Sequence, residues 1–125
     1  MPLVRIALRR GKPAAHLAAL RDGIYRAMRE TFDVPENDRF IVLSQHDADE
    51  FDCDPLYLGI ARSDDLVVVQ ITCAAGRSTA QKHALYRRIA EHFAAADVRP
   101  EDVFINLVET ARENWSFGHG IAQYA

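Results

Sequence analysis

Residues 67–78, VVVQITCAAGRS, repeat the plan of residues 2–13, PLVRIALRRGKP, and this repeat decides the fold. Each stretch is an apolar segment of strand character that ends at a glycine and is followed by a helical pattern. An offset of 65 residues aligns the pairs Ile6 and Ile71, Gly11 and Gly76, Leu20 and Leu85, Ile24 and Ile89, Pro35 and Pro100, and Glu36 and Glu101. The matches fall on core and turn positions, so we interpret the chain as two copies of one β-α-β unit, at about residues 2–45 and 67–110.

The first copy carries clear signals for each element. Val4, Ile6 and Leu8 alternate along a half-buried strand, with Pro2 on the same side. Apolar residues then recur every three or four positions from Pro13, which suits a first helical turn, to near Phe32, just before the Val34-Pro35 pair. A second strand is expected over residues 40–44.

The second copy follows the same order. A β-branched strand spans residues 67–73, and Ser78 with Gln81 three residues later is a capping-box pattern. Leu85, Ile89 and Phe93 form the apolar stripe of a second long helix. The closing strand is predicted over residues 103–108, and a short extra strand over residues 57–61.

Two such units predict an α+β fold. The strands within each unit are expected to be parallel with right-handed crossovers, giving a four-stranded sheet with both long helices on one face. The other face is then bare, which predicts oligomerisation because large exposed apolar patches are rare on monomers. At 125 residues, the chain is expected to be a single domain over residues 1–125.

Composition argues against several classes of function. A net charge of −3 without a pooled basic patch argues against binding to nucleic acid. No apolar run approaches the length of a membrane span, and the first residues lack the apolar core of a signal peptide, so we expect no membrane association and a cytoplasmic location. Cys53 and Cys73 form neither a disulfide framework nor a CxxC pair.

Nothing in the sequence indicates a metal or a cofactor. The acidic loop at residues 47–55, DADEFDCDP, lacks the glycine and glutamate that a calcium loop needs at its sixth and twelfth positions, so it reads as a solvated loop. His46 and His119 have no partners at the spacing of metal ligands. We therefore predict that the protein needs neither.

Several short motifs together resemble the tautomerase superfamily, and within it the malonate semialdehyde decarboxylase-like proteins. They are MPL at 1–3, FDVPENDRF at 32–40, SQH at 44–46, AAGRS at 74–78 and NWSFGHG at 114–120. The resemblance spans nearly the whole chain, and Trp-Ser-Phe-Gly is its most specific part. It implies a homotrimer built from β-α-β units and a cofactor-independent enzyme acting on a small oxo-acid through an N-terminal proline.

The resemblance also implies catalytic residues. Pro2, once Met1 is removed, resembles the catalytic proline, and Arg77 resembles the arginine that binds a substrate carboxylate. Asp38 resembles the carboxylate that works beside the proline in the decarboxylase subgroup. Ordinary structural roles remain open for each: the start of an edge strand for Pro2, a solvated loop position for Arg77, and a turn cap for Asp38.

The resemblance further assigns the wall of the pocket. Trp115 and Phe117 resemble its hydrophobic wall, and Tyr124 stands where the family also has an aromatic residue. Trp115 and Phe117 could equally serve as core filler, as aromatic residues usually do.

The direction of proton transfer depends on the charges around the Pro2 amine. An apolar wall and Arg77 disfavour the cation and lower its pKa, whereas Asp38 favours the cation and raises it. A neutral amine acts as a general base and a protonated amine as a general acid. If Met1 is retained, the Pro2 nitrogen is an amide and has no base to offer.

One departure from the subgroup bears on the reaction. The decarboxylase has a second arginine two residues before the one that matches Arg77, and this chain has Ala75 there. We therefore favour keto–enol tautomerisation of small oxo-acids, with decarboxylation of a 3-oxo acid such as malonate semialdehyde as the alternative. A non-catalytic trimeric binding protein on the same scaffold is the third possibility.

Overall fold

Four strands and two long helices make up the regular structure of the chain, and a computed structural model describes all 125 residues. In chain order the elements are β1 Leu3–Arg9, α1 Ala14–Phe32, β2 Ile41–His46, β3 Val67–Ala74, α2 Thr79–Ala94 and β4 Val103–Thr110. The sheet order is β2-β1-β3-β4, with β1 parallel to β2, β3 parallel to β4, and β1 antiparallel to β3. The predicted α+β fold with a tandem β-α-β arrangement is confirmed.

Both helices pack on one face of this sheet. Alternate residues of β1 and β3 point into the same cluster of 17 buried residues as the apolar stripes of α1 and α2. Its members include Val4, Ile6, Leu8, Val69, Ile71, Leu20, Ile24, Met28, Leu85, Ile89 and Phe93. The apolar residues that recur with a period of two in the strands and of about 3.6 in the helices therefore pack into one core, as the sequence pattern predicts.

The two strand-to-helix turns are near copies of each other. Gly11 has φ 127° and Gly76 has φ 126°, values that favour glycine over any residue with a side chain. The caps that follow differ. Ser78 and Gln81 form the predicted reciprocal capping box of α2, whereas Pro13, the N-cap residue before α1, makes no side-chain cap.

The offset between the copies changes after the helices. Val4 and Val69 are 65 residues apart, but their partners on β2 and β4, Ile41 and Ile105, are 64 apart. The offset of 65 predicted from the sequence is therefore wrong by one residue in the second strand, because the connection that leads into β4 is one residue shorter.

This change of offset aligns two carboxylates. Asp33 and Asp97, both left-handed with φ 53° and 64°, mark the point where the offset of 64 begins. Asp38 and Asp102 then occupy equivalent positions, one before each second strand. Asp102 is buried and accepts hydrogen bonds from the backbone N–H and hydroxyl of Ser63, and from Arg99.

The prediction of a short strand over residues 57–61 is wrong. Tyr57–Gly59 forms a single 3-10 turn, in which Leu58 has φ 61° and Gly59 has φ 71°. These left-handed values are incompatible with extended backbone. The Arg62 guanidinium donates to the carbonyls of Tyr57 and Ile60, so the segment closes on itself rather than pairing with a strand.

The opposite face of the sheet carries no helix. Val42 and Phe104 remain about half exposed there and line a shallow groove with Ala7 and Val68. The face is bare, as the sequence predicts, but it is mixed in character, because Arg5, Ser44, Gln70 and Asn106 line the same groove. Neither helix has the length and apolarity needed to cross a bilayer.

Candidate active site

The amino end of the chain is held by Asp38. The Met1 ammonium lies 2.5 Å from Asp38 Oδ2, and both groups are largely buried. The Val4 N–H donates to the Phe40 carbonyl, which fixes the loop that carries Asp38 beside the start of β1. Pro2, the next residue, is buried on the helix side of the sheet. Asp38 therefore contacts the residue that precedes Pro2 in the chain.

Arg77 lies at the turn between β3 and α2 and points back over the end of α1. Its guanidinium donates to the carbonyls of Ala74, at 3.0 Å, and Phe32, at 3.4 Å, and sits 4.9 Å from the centre of the Phe32 ring. It forms no salt bridge with any carboxylate of the chain. A guanidinium has five N–H donors, so it retains both donors and charge for an anion.

The start of α2 uses two of its backbone N–H donors in a capping box. Ser78 Oγ accepts from the Gln81 N–H, and the Gln81 side chain accepts from the Ser78 N–H. The capping box therefore uses donors that a free helix end would offer to an anion. The guanidinium of Arg77 is the charged donor that remains without a carboxylate partner at this turn.

Pro2, Asp38 and Arg77 lie at the same end of the sheet. Leu3 pairs with Thr72, so Pro2 lies beside Cys73 at the last residues of β3, and Arg77 bonds to the carbonyl of the next residue along. Burial raises the pKa of the Cys73 thiol, while Arg77 and the amino terminus both oppose that rise. Both positive charges therefore act on the same buried sulfur.

The aromatic residues form a separate group on the β4 side of this end. Trp115 Nε1 donates to Thr110 Oγ1 at 2.8 Å, and that hydroxyl donates to the Cys73 carbonyl. Trp115 stacks on Phe117 with ring centroids 5.6 Å apart, and Tyr124 meets Phe117 edge-on at 5.4 Å. No stacking contact or hydrogen bond joins these rings to Pro2 or Arg77 within one chain.

Some residues at this end carried no sequence signal for a site. Phe32 reads as the last apolar residue of a helix, yet its ring lies against Arg77. Glu109 and Lys82 form a 2.6 Å ion pair. The hydrogen bond from Lys82 lowers the pKa of Glu109, as does one from the Gly76 N–H, so Glu109 braces the turn that carries Arg77. The contacts of these residues depend on which helices and strands pack together, and the spacing of residues along the chain does not specify that packing.

The acidic loop contains the one group of side chains that could gather around a cation, Asp47, Asp49 and Glu50. All three are exposed. Asp47 already pairs with Arg10 at 3.1 Å, and Glu50 accepts from the Asp47 N–H. These carboxylates thus serve the loop's own structure, and the loop lies at the end of β2, away from Pro2.

Comparison with known proteins assigns the family. Residues 38–118 match one family model described as "Tautomerase enzyme", and residues 2–59 match a second with the same description. "Probable tautomerase YusQ" of Bacillus subtilis (strain 168) is 44% identical over 98% of both chains, and "Probable tautomerase YrdN" of the same organism is 32% identical over 99% of this chain and 96% of that one. The chain belongs to the tautomerase superfamily.

Solved structures refine this assignment. FG41 malonate semialdehyde decarboxylase, inhibited by 3-bromopropiolate, is 34% identical with a TM-score of 0.92, covering 98% of this chain and 93% of that one. A second malonate semialdehyde decarboxylase is 32% identical with a TM-score of 0.91, covering 98% and 95%. Within the superfamily the chain is thus malonate semialdehyde decarboxylase-like. Native fused 4-OT, at 20% identity and TM-score 0.80 over 97% and 96%, shares the fold.

Proposed function

We propose that this enzyme of the tautomerase superfamily converts enol and keto forms of small oxo-acids, using the Pro2 amine exposed by removal of Met1. The observation that carries the proposal is the meeting of the chain's amino end, Asp38 and Arg77 at one end of β3. Arg77 holds the substrate carboxylate through its free donors. The neutral Pro2 nitrogen takes a proton from the enol oxygen, and the resulting ammonium returns a proton to carbon, so the enzyme is unchanged after each turnover.

Decarboxylation of a 3-oxo acid such as malonate semialdehyde is the second candidate. Two relatives at 34% and 32% identity carry that name, and Asp38, which accepts from the amino end of the chain, would favour a protonated Pro2 amine after Met1 is removed. The protonated amine would then polarise the carbonyl while carbon dioxide leaves. Ala75, in place of a second arginine, favours tautomerisation.

The first experiment is the mass of the purified protein, which reports whether Met1 has been removed. The same sample is then assayed for ketonisation of an enol acid by ultraviolet absorbance and for carbon dioxide release from malonate semialdehyde. Titration of the Pro2 nitrogen by 15N NMR separates the two modes, since a pKa below 7 supports the base and one above 7 the acid. A protein that retains Met1, or that shows neither activity, contradicts the proposal.

Replacing Asp38 distinguishes the two reactions. Asp38→Asn removes the charge that stabilises a protonated amine, so we expect decarboxylation to fall by about tenfold or more while tautomerisation is kept and extends to lower pH. Rates measured against pH test this expectation. Asp22→Asn is the matched control, because Asp22 pairs with Arg39 in the same region without touching the amino end. Equal losses in both reactions would argue that Asp38 does not set the protonation state.

We further propose that three copies assemble through the bare sheet face. Fused 4-OT structures with the same fold are described as trimers, and Val42 and Phe104 expose apolar surface on this face, one on each edge strand of the sheet. Phe104→Lys is expected to reduce the mass by light scattering from about three times 14.1 kDa to one. Ala94→Lys, exposed at the end of α2, is the control and should leave the trimer intact. A Phe104→Lys trimer would contradict this interface.

A further inference from the structure

Arg77 is held without a carboxylate partner, and Phe32 supplies both a hydrogen-bond acceptor and a ring contact from outside the turn. Phe32 is the last residue of α1 and is 3% exposed. Its carbonyl, at the negative end of that helix, accepts from Arg77 Nη2, and its ring faces the guanidinium at 4.9 Å. One residue therefore offers the cation both a backbone acceptor and an aromatic face.

An aromatic partner differs from an acidic one in what it leaves free. A carboxylate would take up two donors of the guanidinium and cancel its charge, so an incoming anion would have to compete. A ring face attracts the cation through its quadrupole and uses no N–H donor. Phe32 can thus fix the plane of Arg77 while the cation stays available.

The other copy of the turn provides an internal comparison. Lys12 stands at the position of Arg77 at the offset of 65, after a glycine in the same conformation, and pairs with Asp65 at 2.7 Å. The residue that matches Phe32 is Asp97 at the offset of 65 and Ala96 at the offset of 64, and neither has a ring. Lys12 therefore has an acidic partner and no aromatic one. Arg77, which lies at the end of the sheet that holds the amino terminus, has an aromatic partner and no acidic one.

From this contrast we propose that Phe32 is a positioning residue of the carboxylate-binding site, setting the orientation of the Arg77 guanidinium toward substrate. The inference rests on the proposed function for the role of Arg77. Gln81 supports the same arrangement, since its Nε2 donates at 3.4 Å to the Thr31 carbonyl and joins the start of α2 to the end of α1. Phe32 acts through Arg77, so it should affect substrate binding more than the proton-transfer step.

Phe32→Leu tests the proposal, because it keeps apolar volume at the site and removes the ring. We expect KM for the oxo-acid, and the Kd for malonate measured by calorimetry, each to rise by about tenfold while kcat changes less than about twofold. Phe93→Leu is the matched control, since Phe93 is fully buried in the same core and makes no cation–ring contact. It should lower thermal stability and leave KM unchanged.

Three results would overturn the proposal: an unchanged KM and Kd in Phe32→Leu, an equal rise in Phe93→Leu, or a loss confined to kcat. Phe32→Tyr retains the ring and should restore both constants. If Phe32→Leu does not fold, the wild-type protein still gives an answer. Its Arg77 Hδ protons should show an upfield ring-current shift by NMR, and ordinary shifts would refute the stacking. Malonate binding needs no turnover, so failure of the proposed reaction remains distinguishable.

Discussion

Pro2→Ala is expected to lower kcat by about a hundredfold or more while the trimer and Arg77-dependent ligand binding stay intact. Positioned general acid–base groups contribute about 10²–10⁴-fold to enzyme rates. Alanine still leaves an amine after removal of Met1, but a primary amine without the ring rotates about its own φ angle, so its lone pair is no longer fixed toward the substrate. The rate of enol ketonisation and the mass of the variant measure both parts of the prediction.

The control for this variant is Pro13→Ala. Pro13 precedes the first turn of α1, at the opposite end of β1 from Pro2, so the same chemical change should leave kcat within about twofold of wild type. If Pro2→Ala also retains wild-type turnover and ligand affinity, the proline is not the proton-transfer group. A non-catalytic binding protein would then be the better description.

Asp102→Ala is expected to cause the largest loss of stability, about 3 kcal/mol in the free energy of unfolding. Asp102 is 1% exposed and accepts from the Ser63 N–H at 2.7 Å, the Ser63 hydroxyl at 2.6 Å and Arg99 at 3.1 Å. Its removal leaves the Ser63 N–H without its acceptor and Arg99 without its carboxylate. Urea unfolding at one protein concentration measures the change, because oligomer stability depends on concentration.

The same carboxylate predicts a dependence on pH. Burial alone would raise the pKa of Asp102, but the hydrogen bonds from Arg99 and Ser63 outweigh burial and hold the pKa below its ordinary value of 3.8. The stabilisation is therefore complete above about pH 4 and is lost as the pH falls through the folded-state value. The difference between wild type and Asp102→Asn should shrink in that window. Asp97→Asn, at an exposed left-handed position, should be neutral throughout; a pH-independent difference for Asp102→Asn would contradict this account.

The helices and strands could be predicted from the sequence because the patterns that specify them involve residues close together in the chain. Alternation in Val4, Ile6 and Leu8 selects one face of a strand, and Ser78 with Gln81 selects the start of a helix. The two errors fall where local signals are weak or shared. Residues 57–61 have the composition of a strand but no strand to pair with. Pro35 and Pro100 match at an offset of 65 residues, whereas the second strands of the two copies match at an offset of 64.

The sequence by itself determined the family, the duplicated β-α-β plan and the candidates Pro2, Asp38 and Arg77. Each of these depends on turn residues, hydrophobic periodicity or rare short motifs, which are local properties of the sequence. Only the tertiary structure decided which side chain each of the two turn cations, Lys12 and Arg77, contacts. Arg77 meets the ring of Phe32 and Lys12 meets Asp65, although both follow matching glycines. The physical reason is that a side chain's partners come from elements distant in sequence, and the packing of α1 against α2 and the antiparallel register of β1 on β3 bring them together.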